Sequence, residues 1–380
     1  MKRLVIWLTV LTLLAAGLPM AVAAAPEVPA KSAILMEVAT GQILCEQQAD
    51  TPLAPASVTK VMTMLLIMEA IDHGKLRWED TVTASETAAA KGGSQIYLKE
   101  GETMSVADMV KSIAVSSAND CACAMAEHLA GSEQAFVEQM NRRAQELGMK
   151  NTHFVNCTGL DDDPGASEHK TSARDIAIMS RELLLNHPKI KEYTTIWMDT
   201  VRNGTFGLSN TNKLVRFYSG ATGLKTGFTA QAGYCLSASA QRDGMELIAV
   251  VMGCETSKER FAACKSLLDH GFANYALISF PDDVQEVPVK LGQQDYVQAV
   301  PGQTGAMLID KSQKSSVNFH TELEELVEAP VRKGQRLGTL TLRSGEQVLS
   351  EIPMVAQQSV DRLTFWELFT RVLRRVCMAA

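Results

Sequence analysis

The sequence lacks the signatures of a zinc site and of a disulfide framework. It contains neither a Cys-x-x-Cys pair nor a His-Glu-x-x-His motif, so we predict no metal site. Its eight cysteines are scattered. Cys235, Cys254 and Cys264 each stand alone among apolar residues, where a buried free thiol is the expected state.

The chain also lacks an excess of basic residues. Its 36 Lys and Arg against 43 Asp and Glu give a formal net charge of −7, which makes nucleic acid a poor candidate partner. With 380 residues, 46% of them hydrophobic, the chain is long enough for one or two domains with buried cores. Disorder and nucleic-acid binding are therefore both disfavoured.

A long apolar run lies at the N-terminus. Lys2 and Arg3 precede an apolar stretch that reaches about Leu18, and small residues follow up to Ala24. This order is typical of a secretory signal peptide over residues 1–24. It predicts an exported protein at the outer face of the cytoplasmic membrane, in the periplasm or outside the cell. The alternative is an uncleaved anchor, because the run approaches the roughly 17 residues that a spanning helix needs.

Residues 28–278 show the pattern of an α+β domain. Two apolar runs around Thr40-Gly41 indicate a β-hairpin, and helical periodicity predominates from Ser57 to about Leu185. Strands return on both sides of a turn signal at Arg242-Asp243-Gly244. We expect an antiparallel sheet assembled from both ends of the domain, with a helical block inserted between them.

The pattern changes again in the last hundred residues. A helix is expected from Ser257 to about His270, with Gly271 as its stop signal, and Phe280-Pro281-Asp282 marks a linker. Residues 284–357 alternate in short runs with Gly turns, which predicts a small all-β domain. We see no chemistry in it and expect a packing, spacing or partner-binding module.

Residues 359–380 show the pattern of an amphipathic helix. Apolar residues that include Trp366 and Phe369 fall on one helical face, opposite Arg371 and Arg374. The segment is too charged to span a bilayer, and its positive charge favours a helix lying at a membrane surface. The alternative is a helix docked on its own protein.

The segment "PASVTK" places Ser57 and Lys60 three residues apart at the head of a long apolar helix. Side chains at this spacing share a face, so a neutral lysine could take the serine's proton. A free lysine has a pKa near ~10.4, and burial or a second nearby cation can lower it. An ordinary serine N-cap is the alternative. Ser167 and Lys170 repeat the spacing in a polar loop, and we interpret that copy as chance.

Two further motifs follow in the chain. Ser117 and Asn119 stand two apart before an alanine-rich helix, and Lys225, Thr226 and Gly227 lie in a strand-like region. The order Ser-x-x-Lys, Ser-x-Asn, Lys-Thr-Gly is typical of class A β-lactamases and penicillin-binding proteins. Together with the segments "GLDDDPGASEHKTSARDIAIMSREL", "GYCLSASAQRDGMELIAVVMG" and "TSKERF", the sequence resembles serine D-alanyl-D-alanine carboxypeptidases, the low-molecular-mass penicillin-binding proteins. The resemblance covers nearly the whole mature chain.

The resemblance implies a role for each motif residue. Ser57 would attack the carbonyl between two D-alanines, and Lys60 would be its general base. Ser117 would relay a proton to the leaving amine, and Asn119 would bind the substrate's backbone amide. The substrate implied is a peptidoglycan stem peptide, with β-lactams as acylating inhibitors, no cofactor and a role in cell wall biogenesis.

The same resemblance implies a carboxylate site and an oxyanion hole. Lys225 and Thr226 would bind the terminal carboxylate, assisted by Arg260 of "TSKERF". Gly227 would leave room for a substrate strand. The backbone N–H groups of Phe228 and of the nucleophile would form the oxyanion hole. Phe228 stands where some relatives carry histidine, so we expect altered rate or preference rather than lost activity.

Two other functions remain open from the sequence. A β-lactamase or serine esterase on the same scaffold is one, although the middle motif has Ala118 instead of Asp, and "ELLLN" at residues 182–186 lies in a helical pattern. A non-catalytic wall-binding protein is the other. His169 is expected to be structural, and the acidic residues 161–163 are expected to form a solvated turn rather than a calcium site.

Overall fold

The computed structural model describes residues 25–163, 165–302 and 305–378. The predicted signal peptide over residues 1–24 therefore lies outside the described residues. The strands of the first part of the chain are β1 (Ser32–Glu37), β2 (Ile43–Gln47), β3 (Thr81–Thr83), β4 (Thr103–Ser105), β5 (Met198–Val201), β6 (Phe206–Ser209), β7 (Ala221–Thr229), β8 (Gly233–Arg242) and β9 (Met245–Cys254).

Helices fill the space between the early and the late strands. They are α1 (Lys60–Asp72), α2 (Glu86–Ala89), α3 (Val106–Ser116), α4 (Asn119–Ala130), α5 (Glu133–Glu146), α6 (Ala173–Asn186), α7 (Lys191–Thr194) and α8 (Leu214–Phe217), and α9 (Ser257–Asn274) follows the last strand. Short 3-10 helices lie at Ala56–Thr59, Ala166–Glu168 and Pro188–Ile190.

The main sheet has five antiparallel strands in the order β2-β1-β9-β8-β7. It is assembled from both ends of the domain, as the sequence predicts. Neighbouring residues of a strand face opposite sides, so Ile34 and Val250 pack with the helical block, whereas Leu35 and Val251 pack with α9. Both faces of the sheet are covered, and β7 is left as an edge strand.

The end of α9 differs from the prediction. Gly271 is not a stop signal, because the helix runs through it to Asn274. A Cβ at Gly271 would lie 2.5 Å from the Leu247 side chain and 3.1 Å from that of Leu35. The glycine therefore allows the helix to approach the sheet closely, which is a tertiary requirement.

The C-terminal part is a second, all-β unit with its own core. Its six-stranded sheet has the order β14-β16-β17-β12-β11-β15, and its core includes Val287, Leu340 and Met354. The strands are β10 (Tyr275–Ser279), β11 (Gln285–Lys290), β12 (Tyr296–Pro301), β13 (Ala306–Asp310), β14 (Val317–Leu323), β15 (Val327–Glu328), β16 (Arg336–Ser344) and β17 (Gln347–Ala356), with a 3-10 helix at Lys311–Ser316.

The two ends of this unit pack differently. β10 pairs with β13 in a separate two-stranded sheet, and Leu277 and Leu308 of these strands pack with the cluster around α9 rather than with the core of the β unit. At the other end, Val360 is buried and exchanges backbone hydrogen bonds with Val331. Residues 359–364 therefore belong to the β unit.

The terminal helix α10 (Phe365–Met378) begins at Phe365 rather than at the predicted residue 359, and residues 379–380 lie outside the described residues. It contacts the β unit through polar groups: Arg371 pairs with Asp295 and donates to the Gly292 carbonyl at 3.0 Å. Trp366 is 71% exposed, and Phe369 is also exposed. Among the described residues no helix is both long and apolar enough to cross a membrane.

Candidate active site

Ser57 lies in a tight turn immediately before α1. The turn is the 3-10 helix Ala56–Thr59, and Ala56 has a left-handed φ of +49°, a conformation that costs free energy for a residue with a Cβ. The Ser57 hydroxyl caps no backbone N–H group. It accepts instead a 2.9 Å hydrogen bond from Lys60 Nζ, so the geometry disagrees with the alternative of an ordinary N-cap.

Lys60 is fully buried in the apolar surroundings of α1. Its Nζ donates a second hydrogen bond, of 2.9 Å, to the Thr158 carbonyl, and no carboxylate among the described residues forms an ion pair with it. Burial disfavours the charged form and lowers the pKa of Lys60 to about 7. The amine is therefore poised to exchange a proton near neutral pH.

The loop around Asn156–Gly159, which had no predicted role, supports this turn. Gly159 has a φ of +82°, and a Cβ there would lie 1.8 Å from the Ala56 carbonyl oxygen. Asn156 Oδ1 accepts hydrogen bonds from the backbone N–H groups of Thr158 (3.2 Å) and Gly159 (2.7 Å). The loop thus holds the carbonyl that binds Lys60, and only glycine fits where it meets the serine turn.

His169 connects the same loop to α1. Its Nδ1 accepts from the Val155 backbone N–H at 3.1 Å, so Nε2 carries the proton and donates to Thr59 Oγ1 at 2.8 Å. Burial lowers the pKa of His169 to about 4. The ring is therefore neutral and locked in one orientation, in line with the structural role expected for it. By contrast, Ser167 and Lys170 are exposed.

The second motif lies at the junction of α3 and α4. Ser117 ends α3 with a left-handed φ of +63° and is buried. Asn119 begins α4, and its Nδ2 donates to the Gly92 carbonyl at 2.7 Å. Asn119 Oδ1 is buried and has no hydrogen-bond partner among the described residues. An unpaired buried acceptor is costly, and it is suited to an incoming N–H donor.

Asp120, next in the chain, is a site residue that the sequence analysis missed. Its buried carboxylate accepts hydrogen bonds from the backbone N–H groups of Ile96 (3.1 Å) and Leu98 (3.0 Å). It also raises the pKa of Lys60, against the larger effect of burial. An acidic residue in the first turn of a helix is a common pattern, so the sequence carried no signal for this role.

The third motif lies on the edge strand β7, against the serine turn. A Cβ at Gly227 would lie 2.6 Å from the Pro55 carbonyl oxygen and 3.1 Å from the Ser57 backbone nitrogen. The glycine therefore lets the strand and the turn approach each other. This protein contact accounts for the glycine without any substrate strand.

Lys225 and Thr226 are both buried on this strand. Lys225 Nζ donates to the Thr226 carbonyl at 2.8 Å, and Thr226 Oγ1 bonds to Thr211 Oγ1 at 2.7 Å. Alternate residues of an antiparallel strand direct their backbone groups to opposite sides. This alternation places the N–H of Phe228 on the same side of β7 as the Thr226 carbonyl, which Lys225 binds.

Arg260 reaches the site from the first turn of α9. Its Nη1 donates to the Gly227 carbonyl at 2.9 Å and approaches the Cys235 carbonyl at 3.4 Å. Its Nε is buried and has no hydrogen-bond partner in the described part of the chain. The guanidinium carbon lies 5.3 Å from the centroid of the Tyr234 ring. Phe228, 54% exposed, stacks on that ring, with the two centroids 4.2 Å apart.

The site therefore gathers three buried basic side chains without acidic partners among the described residues. Lys60, Lys225 and Arg260 form no ion pair among the described residues. Burial lowers the pKa of Lys225 well below its usual value, and the charges of Lys60 and Arg260 lower it further. Such a cluster is favourable for binding an anion.

A serine bonded to a buried, near-neutral lysine beside a cationic pocket defines a serine acyl-transfer enzyme. Comparisons with known proteins specify which class. The peptidase S11 family model, D-alanyl-D-alanine carboxypeptidase, matches residues 20–256. A second model, the C-terminal domain of penicillin-binding protein 5, matches residues 272–362.

Individual relatives agree with the family models. D-alanyl-D-alanine carboxypeptidase DacF of Bacillus subtilis is 43% identical over 351 residues, covering 90% of this chain and 89% of the relative. Among solved structures, penicillin-binding protein 5 from Haemophilus influenzae has a TM-score of 0.75 at 32% identity, covering 89% of this chain and 99% of that one. Penicillin-binding protein D2 from Listeria monocytogenes, solved in its cefotaxime-bound form, has a TM-score of 0.60 at 32% identity, covering 66% and 99%.

The chain belongs to the D-alanyl-D-alanine carboxypeptidase family of serine hydrolases. The resemblance seen in the sequence is thereby confirmed, as is the α+β fold with a small all-β domain behind it.

Proposed function

We propose that this protein removes the terminal D-alanine from peptidoglycan stem peptides through an acyl-enzyme on Ser57. The observation that carries the proposal is the 2.9 Å hydrogen bond between Lys60 Nζ and Ser57 Oγ. Lys60 is fully buried, with a pKa of about 7, so a large fraction of the amine is neutral near neutral pH. A base with such a pKa is well matched to proton transfer under these conditions.

Acylation begins when Ser57 Oγ attacks the carbonyl carbon of the bond between the two D-alanines. A C–O bond forms, and the hydroxyl proton passes to Lys60 Nζ. The negative charge that develops on the carbonyl oxygen is stabilised by the backbone N–H groups of Ser57 and Phe228. Losing one such donor typically costs about 3 kcal/mol of transition-state stabilisation.

The C–N bond then breaks and D-alanine leaves. Its amine receives a proton through Ser117, and its carboxylate is held by Lys225 and Thr226, with Arg260 behind them. The buried cations without acidic partners support this carboxylate site. On the acyl side, the unpaired Asn119 Oδ1 accepts the backbone N–H of the substrate.

Deacylation follows by attack of water on the ester. Lys60 accepts a proton from the water, the C–O bond to Ser57 breaks, and the serine is restored as the shortened peptide leaves. β-Lactams acylate the same serine but leave no departing amine to clear the site, so we expect them to act as slow-turnover inhibitors.

We further infer that the protein is exported and rests on the membrane through α10. The signal-like pattern of residues 1–24 supports export. The polar docking of Arg371 on Asp295 supports membrane association, because it leaves the rings of Trp366 and Phe369 turned away from the protein. Docking by the apolar face would have supported the alternative of a helix packed on its own protein.

The test is intact-mass measurement after mixing the mature protein with benzylpenicillin, alongside D-alanine release from an acyl-D-Ala-D-Ala peptide. We expect a long-lived adduct and released D-alanine, both abolished in Ser57→Ala. A transient adduct with drug turnover would favour a β-lactamase instead. Neither adduct nor release from the wild-type protein would mean a disabled, wall-binding function.

A further inference from the structure

The loop of residues 92–102 is fastened to the start of α4 beside the candidate site. The Asn119 backbone N–H donates to the Ser94 carbonyl at 2.7 Å, and Asn119 Nδ2 donates to the Gly92 carbonyl at 2.7 Å. A Cβ at Gly93 would lie 2.8 Å from Asn119 Nδ2. The loop therefore contacts the same asparagine whose Oδ1 has no hydrogen-bond partner within the described ranges.

Tyr97 is forced outward at the centre of this loop. Ile96 and Leu98 bury their side chains, and the backbone N–H groups of both bond to Asp120. Between them Tyr97 adopts a left-handed φ of +59°, and its side chain is 69% exposed. This conformation is strained for an aromatic residue, and a ring that stays 69% exposed buries little surface to offset the strain. Strain of this kind is typical of functional positions.

A second element fixes the position of the Tyr97 ring. Arg202, at the turn between β5 and β6, donates to the Ile96 carbonyl at 2.7 Å and to the Tyr97 carbonyl at 3.2 Å, and it pairs with Glu102 at 2.6 Å. The Phe206 ring meets the Tyr97 ring edge-on, with centroids 6.4 Å apart. Tyr97 is therefore an exposed but preorganised aromatic surface.

The place of the loop indicates which part of a substrate it meets. Tyr97 is three residues from Ser94, a span of at most about 10 Å, so it lies near Asn119 on the acyl side of the site. In the proposed mechanism Lys225 and Arg260 hold the leaving group, so Asn119 and this loop serve the acyl side. A side chain that reaches past Asn119 toward Tyr97 belongs to the residue preceding D-alanyl-D-alanine.

We propose that Tyr97 is a substrate-binding residue whose ring packs on a long aliphatic side chain at the position before D-alanyl-D-alanine in the stem peptide. This inference rests on the proposed function and deepens it, since it assigns a side-chain preference to the acyl half of the substrate. The phenol hydroxyl is not needed for such packing, whereas the ring is.

The experiment compares two peptides that differ only in that side chain, diacetyl-L-lysyl-D-alanyl-D-alanine and acetyl-glycyl-D-alanyl-D-alanine. For Tyr97→Ala we expect kcat/KM for the lysyl peptide to fall about tenfold, mainly through KM, and kcat/KM for the glycyl peptide to change less than about twofold. Tyr97→Phe keeps the wild-type preference. Tyr296→Ala, an exposed tyrosine of the β unit, is the matched control and changes neither peptide.

A further variant separates binding from folding. Glycine adopts the left-handed conformation without strain, so Tyr97→Gly should lose the lysyl preference while its melting temperature stays equal to or above that of the wild type. An equal loss on both peptides, or no loss on either, would overturn the assignment of Tyr97. No D-alanine release from either peptide by the wild-type protein would instead overturn the proposed function and the inference with it.

Discussion

The candidate site and the terminal helix both depart from the usual distribution of side chains. The site buries basic groups, and the helix exposes apolar ones. The site buries Lys60, Lys225 and Arg260 without acidic partners in the part of the chain that the structure describes, whereas α10 exposes Trp366 and Phe369 and docks through Arg371. Soluble proteins ordinarily bury apolar side chains and pair the charges they bury. Each departure therefore lowers the stability of the isolated chain.

The difference between the two regions is the missing partner that each implies. Buried cations and an unpaired carbonyl oxygen at Asn119 are satisfied by a ligand with a carboxylate and an N–H group. Exposed aromatic rings beside arginines are satisfied by a lipid surface. Unfavourable free-energy contributions in a fold can therefore identify the chemistry of the ligand or surface that binds there.

Removal of the buried Lys60 amine is expected to have the largest effect. Lys60→Met should abolish D-alanine release, by at least about 10³-fold, because Ser57 loses its base. The same change should raise the free energy of unfolding at pH 7 by about 2 kcal/mol. Lowering the Lys60 pKa to about 7 costs roughly 4 kcal/mol at neutral pH, and the lost bond to the Thr158 carbonyl offsets part of the gain. Chemical denaturation and peptide turnover measure the two effects.

Lys170→Met is the matched control, since Lys170 ends the second Ser-x-x-Lys copy but is exposed. It should change neither turnover nor stability beyond about 0.5 kcal/mol. If Lys60→Met destabilised the protein instead, the amine would be a net stabilising group, and the deficit attributed to it would be wrong.

The next largest effect is expected at the contact between β7 and the serine turn. The new methyl of Gly227→Ala would lie 2.6 Å from the Pro55 carbonyl oxygen, so the strand must move away from Ser57. We expect acylation by benzylpenicillin to slow about 100-fold and the protein to lose about 1–3 kcal/mol of stability. Stopped-flow acylation and thermal melting report the two changes.

Gly207→Ala on β6 is the comparison variant, because a Cβ there has no atom within 4 Å. It should leave acylation unchanged. Wild-type acylation in Gly227→Ala would show that the turn and strand can separate without moving the catalytic groups, and would weaken the case for their coupling.

The pH dependence of the acylation rate tests the role of Lys60 without any mutation. Acylation needs neutral Lys60, so its rate should rise with pH and level off above about 7, and it should fall about tenfold per pH unit below that. His169, with a pKa of about 4, stays neutral and adds no limb above pH 5. A profile that is flat from pH 5 to 8 would exclude Lys60 as the base.

The free energy of unfolding should also depend on pH, in a direction set by the lowered pKa of Lys60. The pKa of Lys60 is lowered on folding from 10.5 to about 7, so between these values the unfolded chain binds more protons than the native one. The free energy of unfolding should therefore rise with pH across this window. Lys225, whose pKa burial also lowers, contributes in the same direction, and Lys60→Met should reduce the slope but not remove it.

Local motifs were sufficient to predict the α+β fold and the contact between Ser57 and Lys60. Ser57 and Lys60 share a turn whose geometry is set within four residues, and the alternation of strand residues follows from the sequence. The contacts that hold the site residues in place could not be predicted from local motifs. Asp120 holds Ile96 and Leu98, and the Asn156 loop holds the carbonyl that binds Lys60, through contacts between segments far apart in the chain.

The role of a glycine is also hard to predict from the local sequence. Gly271 looked like a helix stop because glycine commonly ends helices, yet its role is close packing on Leu247 and Leu35. The predicted start of α10 was wrong for a related reason. Residues 359–364 fit the amphipathic pattern, but Val360 pairs with Val331 in the β unit, and helical periodicity alone does not report a strand partner.

The smallest effect is expected from removing the terminal helix α10. Truncation from Phe365 removes α10 while keeping Val360 in the core of the β unit. It should release the protein from anionic vesicles and leave D-alanine release unchanged. The double variant Trp366→Ser/Phe369→Ser should weaken vesicle partitioning about tenfold or more, because each buried ring contributes about 1.5–3 kcal/mol. Co-sedimentation with vesicles measures both.

Phe319→Ser, on an exposed aromatic of β14 in the same unit, is the control that should bind vesicles like the wild type. Raising the salt concentration should weaken the binding of the full chain, because exposed Arg374 attracts anionic headgroups through solvent that salt screens. Equal binding by the truncated and full chains would refute the anchor. The exposed rings of α10 would then need an apolar partner other than lipid, while the deficits of the catalytic site would stand unchanged.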